Sequence, residues 1–193
     1  MSNTSVPDAG TASDPPWVHE VLQFWFEELS RRDWFRGGAA VDERIRARFG
    51  ALHGRLVAEE EPVVSGAASA LATVLVLDQF SRNLYRGDAR AFAGDPVALR
   101  IARAALERGF DRDLGTNPRM FFYLPFEHSE DRDDQRLAVE LFEGTGEPEL
   151  VRYARQHQAV IERFGRFPHR NAVLGRNSTP EELEFLKDKK GWY

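Results

Sequence analysis

The residues of this chain that could do chemistry fall into three polar blocks. The first is the run Leu77-Asp78-Gln79-Phe80-Ser81-Arg82-Asn83-Leu84-Tyr85-Arg86. Asp78 and Arg82 are four positions apart, so on a helix they share one face and can pair. A cation near a helix C-terminus also complements the helix dipole, so a purely structural pair accounts for them. They nevertheless extend the most apolar helix of the chain, and a buried charge must be paired or must face a cavity. Structural pair and pocket wall, with Asn83 beside either, both stand at this level.

The second block is Phe121-Phe122-Tyr123-Leu124-Pro125-Phe126-Glu127-His128-Ser129-Glu130-Asp131. Acids in a first helical turn, with Ser129 as cap, explain Glu130 and Asp131. They do not explain His128, and an imidazole oriented by a neighbouring acid is the usual form of a general base. The third block runs from Arg163 to Arg176 and holds Arg163, Arg166, Arg170 and Arg176 with no acid, whereas Glu127, Glu130, Asp131, Asp133 and Asp134 crowd around Arg132 in the second. One reading is that the two neutralise each other. Alternatively, the forks of Arg166 and Arg170, beside His169 and the Asn171 amide, suit a carboxylate or phosphate. His157 joins them: in the stripe Leu150, Ala154, His157, Ile161, Phe164 it has the inward phase. It reads either as a hydrogen-bonded core histidine or as part of the site.

Several chemistries have no motif here. No cysteine occurs, so thiolate ligands, thiol nucleophiles and disulfides are excluded. Glu-x-x-His pairs, His-Glu-x-x-His, a Gly-x-Ser-x-Gly elbow and phosphate-binding glycine loops are absent. A metal site from His128, Asp131 and His157 is conceivable, but no metal ligand and no cofactor is assigned.

The elements that must position these blocks are helical. Val18, Val21, Leu22, Trp25, Phe26 and Leu29 form one apolar stripe; Val41, Ile45, Phe49, Leu52 and Leu56 form a second. Residues 66–83 make a third helix, apolar nearly all round and hence central. Asp95-Pro96 opens a fourth, with Asp95 as N-cap, and Gly109 closes it. A short aromatic helix, Met120 to Leu124, follows, which Pro125 should end or kink. Ser129 opens a sixth helix. A seventh runs from near Pro148 to near Gly165, and Thr179-Pro180-Glu181-Glu182 reads as a capping box starting the last. The pattern predicts an all-α fold of stacked antiparallel helical hairpins, tetratricopeptide-like, with about eight helices.

Length and composition agree. The 193 residues suit a single helical domain over 17–193 behind a disordered tail, 1–16, that lacks the basic start and apolar run of a secretory signal. The formal charge is −5 and no lysine precedes Lys187, which argues against a nucleic-acid partner. The most apolar run, residues 67–77, falls short of the about 20 residues of a membrane span. The expected location is cytoplasmic.

Phe24-Trp25-Phe26, the Leu77–Asn83 run followed by Arg86-Gly87, Ala91-Phe92-Ala93, the Tyr123–Asp131 run and Phe164-Gly165-Arg166-Phe167-Pro168-His169-Arg170-Asn171 together resemble the bacterial domain-of-unknown-function family 924. The resemblance covers about residues 17–190. It implies an all-helical, tetratricopeptide-like fold and singles out Asp78, Gln79, Arg82, Asn83, His128, Ser129, Glu130, Arg166, His169, Arg170 and Asn171. It implies no reaction. Ser81 stands where the family usually has proline, a change that should relax the local backbone.

The leading expectation is one pocket for a small anionic molecule, with an enzymatic role open. His128 or His157 would be the acid/base, Glu130 or Asp131 its orienter, and Arg82, Arg166 and Arg170 the anion clamp. A helical scaffold binding a peptide or partner protein is the alternative, and a metal-dependent oxidase with histidine and carboxylate ligands a third.

Overall fold

The computed structural model describes residues 14–59 and 61–188, and these are helical with no strand. Of the expected tail only Asp14, Pro15 and Pro16 are among the described residues, and Pro16 begins the first helix. Cα packing separates two compact units: the first ends at Arg86 and resumes over 90–125, and the second comprises 87–89 and 126 onward.

In the first unit, α1 (Pro16–Gln23) continues into a wider π-helical turn, Phe24–Glu28. Then come α2 (Arg31–Arg36) and α3 (Ala39–Ala58). The central helix comprises α4 (Ala67–Val74), a second π-helical stretch (Leu75–Phe80) and α5 (Ser81–Leu84). Every residue from Ala68 to Asp78 is buried, as expected of a segment apolar nearly all round, Ser69, Thr73 and Asp78 being its polar members. The first two stripes are buried as their spacing predicts. They meet the central helix through rings: Phe24 and Phe49 lie 5.2 Å apart, Phe49 and Phe80 5.1 Å, Trp25 and Phe80 5.6 Å. Each such side chain contributes about 1.5–3 kcal/mol through removal from water.

Three local expectations are corrected. α6 (Asp95–Glu107) has Gly94 rather than Asp95 at its N-cap, because the Asp95 carboxylate is committed to Arg82. α7 (Thr116–Glu127) starts earlier than the aromatic run and carries Pro125 inside it, ending two residues later. Ser129 does not cap the next helix. α8 (Arg132–Glu143) is capped by Asp131, whose Oδ1 accepts from the amides of Asp133 and Asp134 at 2.8 and 3.1 Å. Asp131 reaches two orphan amides of the first turn, and the Ser129 hydroxyl donates to Asp134 instead. α2 had no apolar stripe to betray it; its signal is the Ser30–Asp33 capping box.

In the second unit α8 and α9 (Pro148–Phe164) form a hairpin across the turn at 144–147 and pack on each other. Ala138, Phe142, Leu150, Ala154 and Ile161 are buried. Gly165, at φ 69°, ends α9 in the left-handed conformation that glycine adopts without penalty. A 3-10 turn, Pro168–Arg170, and α10 (Pro180–Asp188) follow. The Thr179 capping box forms as expected: Thr179 Oγ1 accepts from Glu182 N–H, and Glu182 Oε2 accepts from Thr179 N–H at 2.7 Å.

Candidate functional site

The first unit holds Asp78, Arg82 and Asn83. Arg82 Nη1 lies 3.0 Å from Asp78 Oδ1, and its fork donates to both carboxylate oxygens of Asp95 at 3.0 and 3.1 Å. Burial opposes the guanidinium charge, but the two aspartates outweigh it and raise its pKa. The fork that was a candidate anion clamp is thus closed on protein carboxylates. Asn83 donates to Asp42 Oδ1 at 2.7 Å, and Arg86 donates to both oxygens of the same carboxylate. Burial pushes the Asp42 carboxyl up, and Arg86 with Asn83 brings it below its ordinary value. Asp42 was not singled out from the sequence and Asp95 was read there only as a helix cap, since neither lies in a motif block.

Ser81 does more than relax the backbone. Fully buried, its hydroxyl contacts Leu77 O at 2.6 Å and His53 Nε2 at 2.7 Å. His53 Nδ1 has no hydrogen-bond partner, and burial lowers the imidazole pKa. Burial thus favours the uncharged ring.

The second unit gathers the other candidates. The acid-rich and arginine-rich blocks meet as their charges suggested: Arg176 donates to both oxygens of Glu130 at 2.7 and 3.0 Å, and Glu130 Oε1 also accepts from the Phe167 amide at 2.7 Å. Burial resists ionisation of Glu130, but these donors outweigh it and its carboxyl titrates below the usual range. Glu130 therefore braces the Phe167 backbone. Arg166 forks onto Glu182 at 2.7 and 2.8 Å, and Asn171 donates to the same carboxylate at 3.2 Å. The Arg166 hydrogen bonds, opposed by burial and helped by the Thr179 amide and Asn171, hold Glu182 down at about 2.

His157 is 17% exposed at its side chain, and its Nδ1 lies 3.2 Å from Glu127 Oε1 and 3.0 Å from the Tyr153 carbonyl. Both neighbours are acceptors, so Nδ1 carries the hydrogen and the neutral ring keeps its lone pair on Nε2. Glu127, 5% exposed, is the carboxylate that the sequence reading missed. It lies in the acid block, but helical phase cannot pair it with a histidine thirty positions away.

Phe167, wholly buried, collects three candidates around one ring. His157 meets it nearly perpendicularly at 5.6 Å, the His169 ring centre is 5.6 Å away, and the Arg170 guanidinium carbon stands 4.6 Å over its face. Arg170 also donates to His128 O at 3.0 Å. His128 is thus placed in this region through its backbone. His157, His169 and Arg170 are the candidates that share a neighbour; Arg166 and Asn171 are gathered separately on Glu182.

A separate open groove of about 710 Å³ lies on the α8–α9 hairpin, lined by Pro148, Val151, Arg152, Arg155 and Ala159 among others. Among the described residues no group of three or more histidine or acidic side chains could hold a metal ion, and no helix is long and apolar enough to cross a membrane.

The sequence model of a family described as a bacterial protein of unknown function matches residues 21–190. A solved structure of a protein of unknown function from Agrobacterium tumefaciens is similar at 39% identity and a TM-score of 0.81, covering 89% of this chain and 97% of that one. No curated protein matches the chain.

Proposed function

The chain belongs to the bacterial family of unknown function 924, and we propose that its second unit binds a small anionic molecule beside Phe167, with His157 as acid/base. The observation that carries this reading is the pair of Glu127 and His157. A buried carboxylate 3.2 Å from Nδ1 orients the imidazole and favours its protonated form. Arg170 supplies the positive charge that a phosphate or carboxylate requires, and His169, grouped with it and His157 around Phe167, a ring N–H. Arg82 and Arg166, already forked onto carboxylates, serve as supports on this reading rather than as the clamp.

The test is histidine-ring NMR during titration with inorganic phosphate and, separately, acetate. Saturable shifts of the His157 and His169 ring signals, lost in Arg170→Gln while the protein stays folded, are expected with at least one anion. Rings that no anion moves, in protein that melts normally, overturn the reading.

A second reading, a scaffold for a peptide or partner protein, draws on the open groove between residues 143 and 159. Under it, binding of a partner would perturb Val151 and Ala159 and leave the rings around Phe167 unmoved.

A further inference from the structure

The last turn of α7 carries Glu127, and that turn has a supply problem. A helix C-terminus leaves its final carbonyls short of backbone donors; at the end of α7 the Phe126 carbonyl keeps one, the Ser129 amide at 3.2 Å. The deficit is met by one buried side chain from the next helix. Gln135, 1% exposed, points its amide Nε2 at the carbonyls of Phe126, Glu127 and Ser129, at 3.3, 2.7 and 2.7 Å. The intervening carbonyl, that of His128, accepts from Arg170. Four consecutive carbonyls are thereby gripped by side chains, and Gln135 alone serves three.

We propose that Gln135 is a positioning residue for the Glu127–His157 pair. Its hydrogen bonds go to main-chain carbonyls and not to the ring or the carboxylate. It holds the backbone of residues 126–129, and with it the Cα from which the Glu127 side chain reaches His157 Nδ1. The 3.2 Å contact spans two helices, so a small movement of the α7 terminus is enough to break it. Gln135 is buried, and its Oε1 finds no hydrogen-bond partner. A residue kept only for packing at such a place would be apolar, since an unmet buried acceptor costs about 1–3 kcal/mol; the amide is there for its donors. This inference rests on the proposed reading of His157 and Glu127.

The experiment follows the His157 ring through a pH titration by NMR in the full chain, with His19 as internal reference and the melting temperature measured alongside. Removing the carboxylate in Glu127→Gln should move the His157 midpoint down by about one pH unit, a tenfold loss of proton affinity. Gln135→Met keeps the volume and deletes the donors. It should move the His157 midpoint in the same direction by at least half as much and leave His19 in place. Should Gln135→Met not fold, Gln135→Asn is read identically, because it keeps the amide but withdraws it by one carbon from the carbonyls. A Gln135 variant that melts lower while His157 titrates as in the parent overturns the positioning role and leaves the pair intact. A Glu127→Gln variant in which His157 does not move refutes the pair itself, and the role of Gln135 falls with it.

Discussion

Gly94→Ala should be markedly destabilising although the backbone there is ordinary. Gly94 has φ −83° and ψ −14°, which any residue can adopt. The obstacle is steric: a Cβ at this position would sit 2.5 Å from the Leu77 carbonyl oxygen, 3.1 Å from its carbon and 3.2 Å from its Cα. All three are backbone atoms of Leu77, itself fully buried in the π-helical stretch of the central helix, so no flexible side chain can swing away. The same oxygen accepts from the Ser81 hydroxyl at 2.6 Å, which pins it further. Forcing extra volume into a packed interior costs about 1–3 kcal/mol, and a backbone obstacle argues for the upper part of that range. Against this, alanine restricts the unfolded chain and returns about 0.4–1 kcal/mol. The net loss should be roughly 2 kcal/mol, which for a chain of this size lowers the melting temperature by roughly 4–8 °C.

The control is Gly54→Ala in α3, where an added Cβ meets nothing within 4 Å. There only the helix-propensity gain remains, about 0.5–1 kcal/mol of stabilisation. Thermal and denaturant unfolding of the two variants beside the parent decides the matter. If Gly94→Ala melts at or above the parent, the close approach of the α6 N-terminus to Leu77 is wrong. If both glycines respond alike, the effect is one of propensity and not of contact.

Trp25→Ala should cost about 3–5 kcal/mol, because Trp25 is buried among Trp34, Phe80 and Phe121; an unchanged denaturant midpoint would place it on the surface. Ser81→Ala should cost about 1–3 kcal/mol by stripping the buried His53 Nε2 of its partner, and equal stability of parent and variant would show that the pair is incidental. Glu182, depressed to about 2 from an ordinary 4.5, contributes stability that is present above pH 4.5 and is lost as pH falls from there toward 2. Glu182→Gln should therefore be less stable than the parent at pH 7 and approach it at pH 2.5, read as denaturant midpoints; a gap that is the same at both values rejects the ion pair with Arg166.

What the sequence determined by itself is the longer helices and the direction in which their apolar stripes face. The stripes Val18–Leu29 and Val41–Leu56 are buried, because period-3.6 burial is a property of neighbours along the chain. Caps formed within one turn were legible for the same reason, as at Thr179–Glu182 and Gly165. Where two local candidates competed, only packing chose: Asp95 could cap α6 or pair with Arg82, and the nearby cation took it. Apart from the Asp78–Arg82 pair, one helical turn apart and in contact at 3.0 Å, the candidate site was legible as residue types and not as pairs. Sequence showed an acid block and an arginine block with His157 phased inward; it did not show that Glu127 serves His157, that Glu130 serves Arg176, or that Glu182 serves Arg166. Those partners are separated by sixteen or more positions, and no periodicity links them. Hydrogen bonds act over about 3 Å, so they are settled only when helices dock, and the tertiary structure alone decided which carboxylate met which cation.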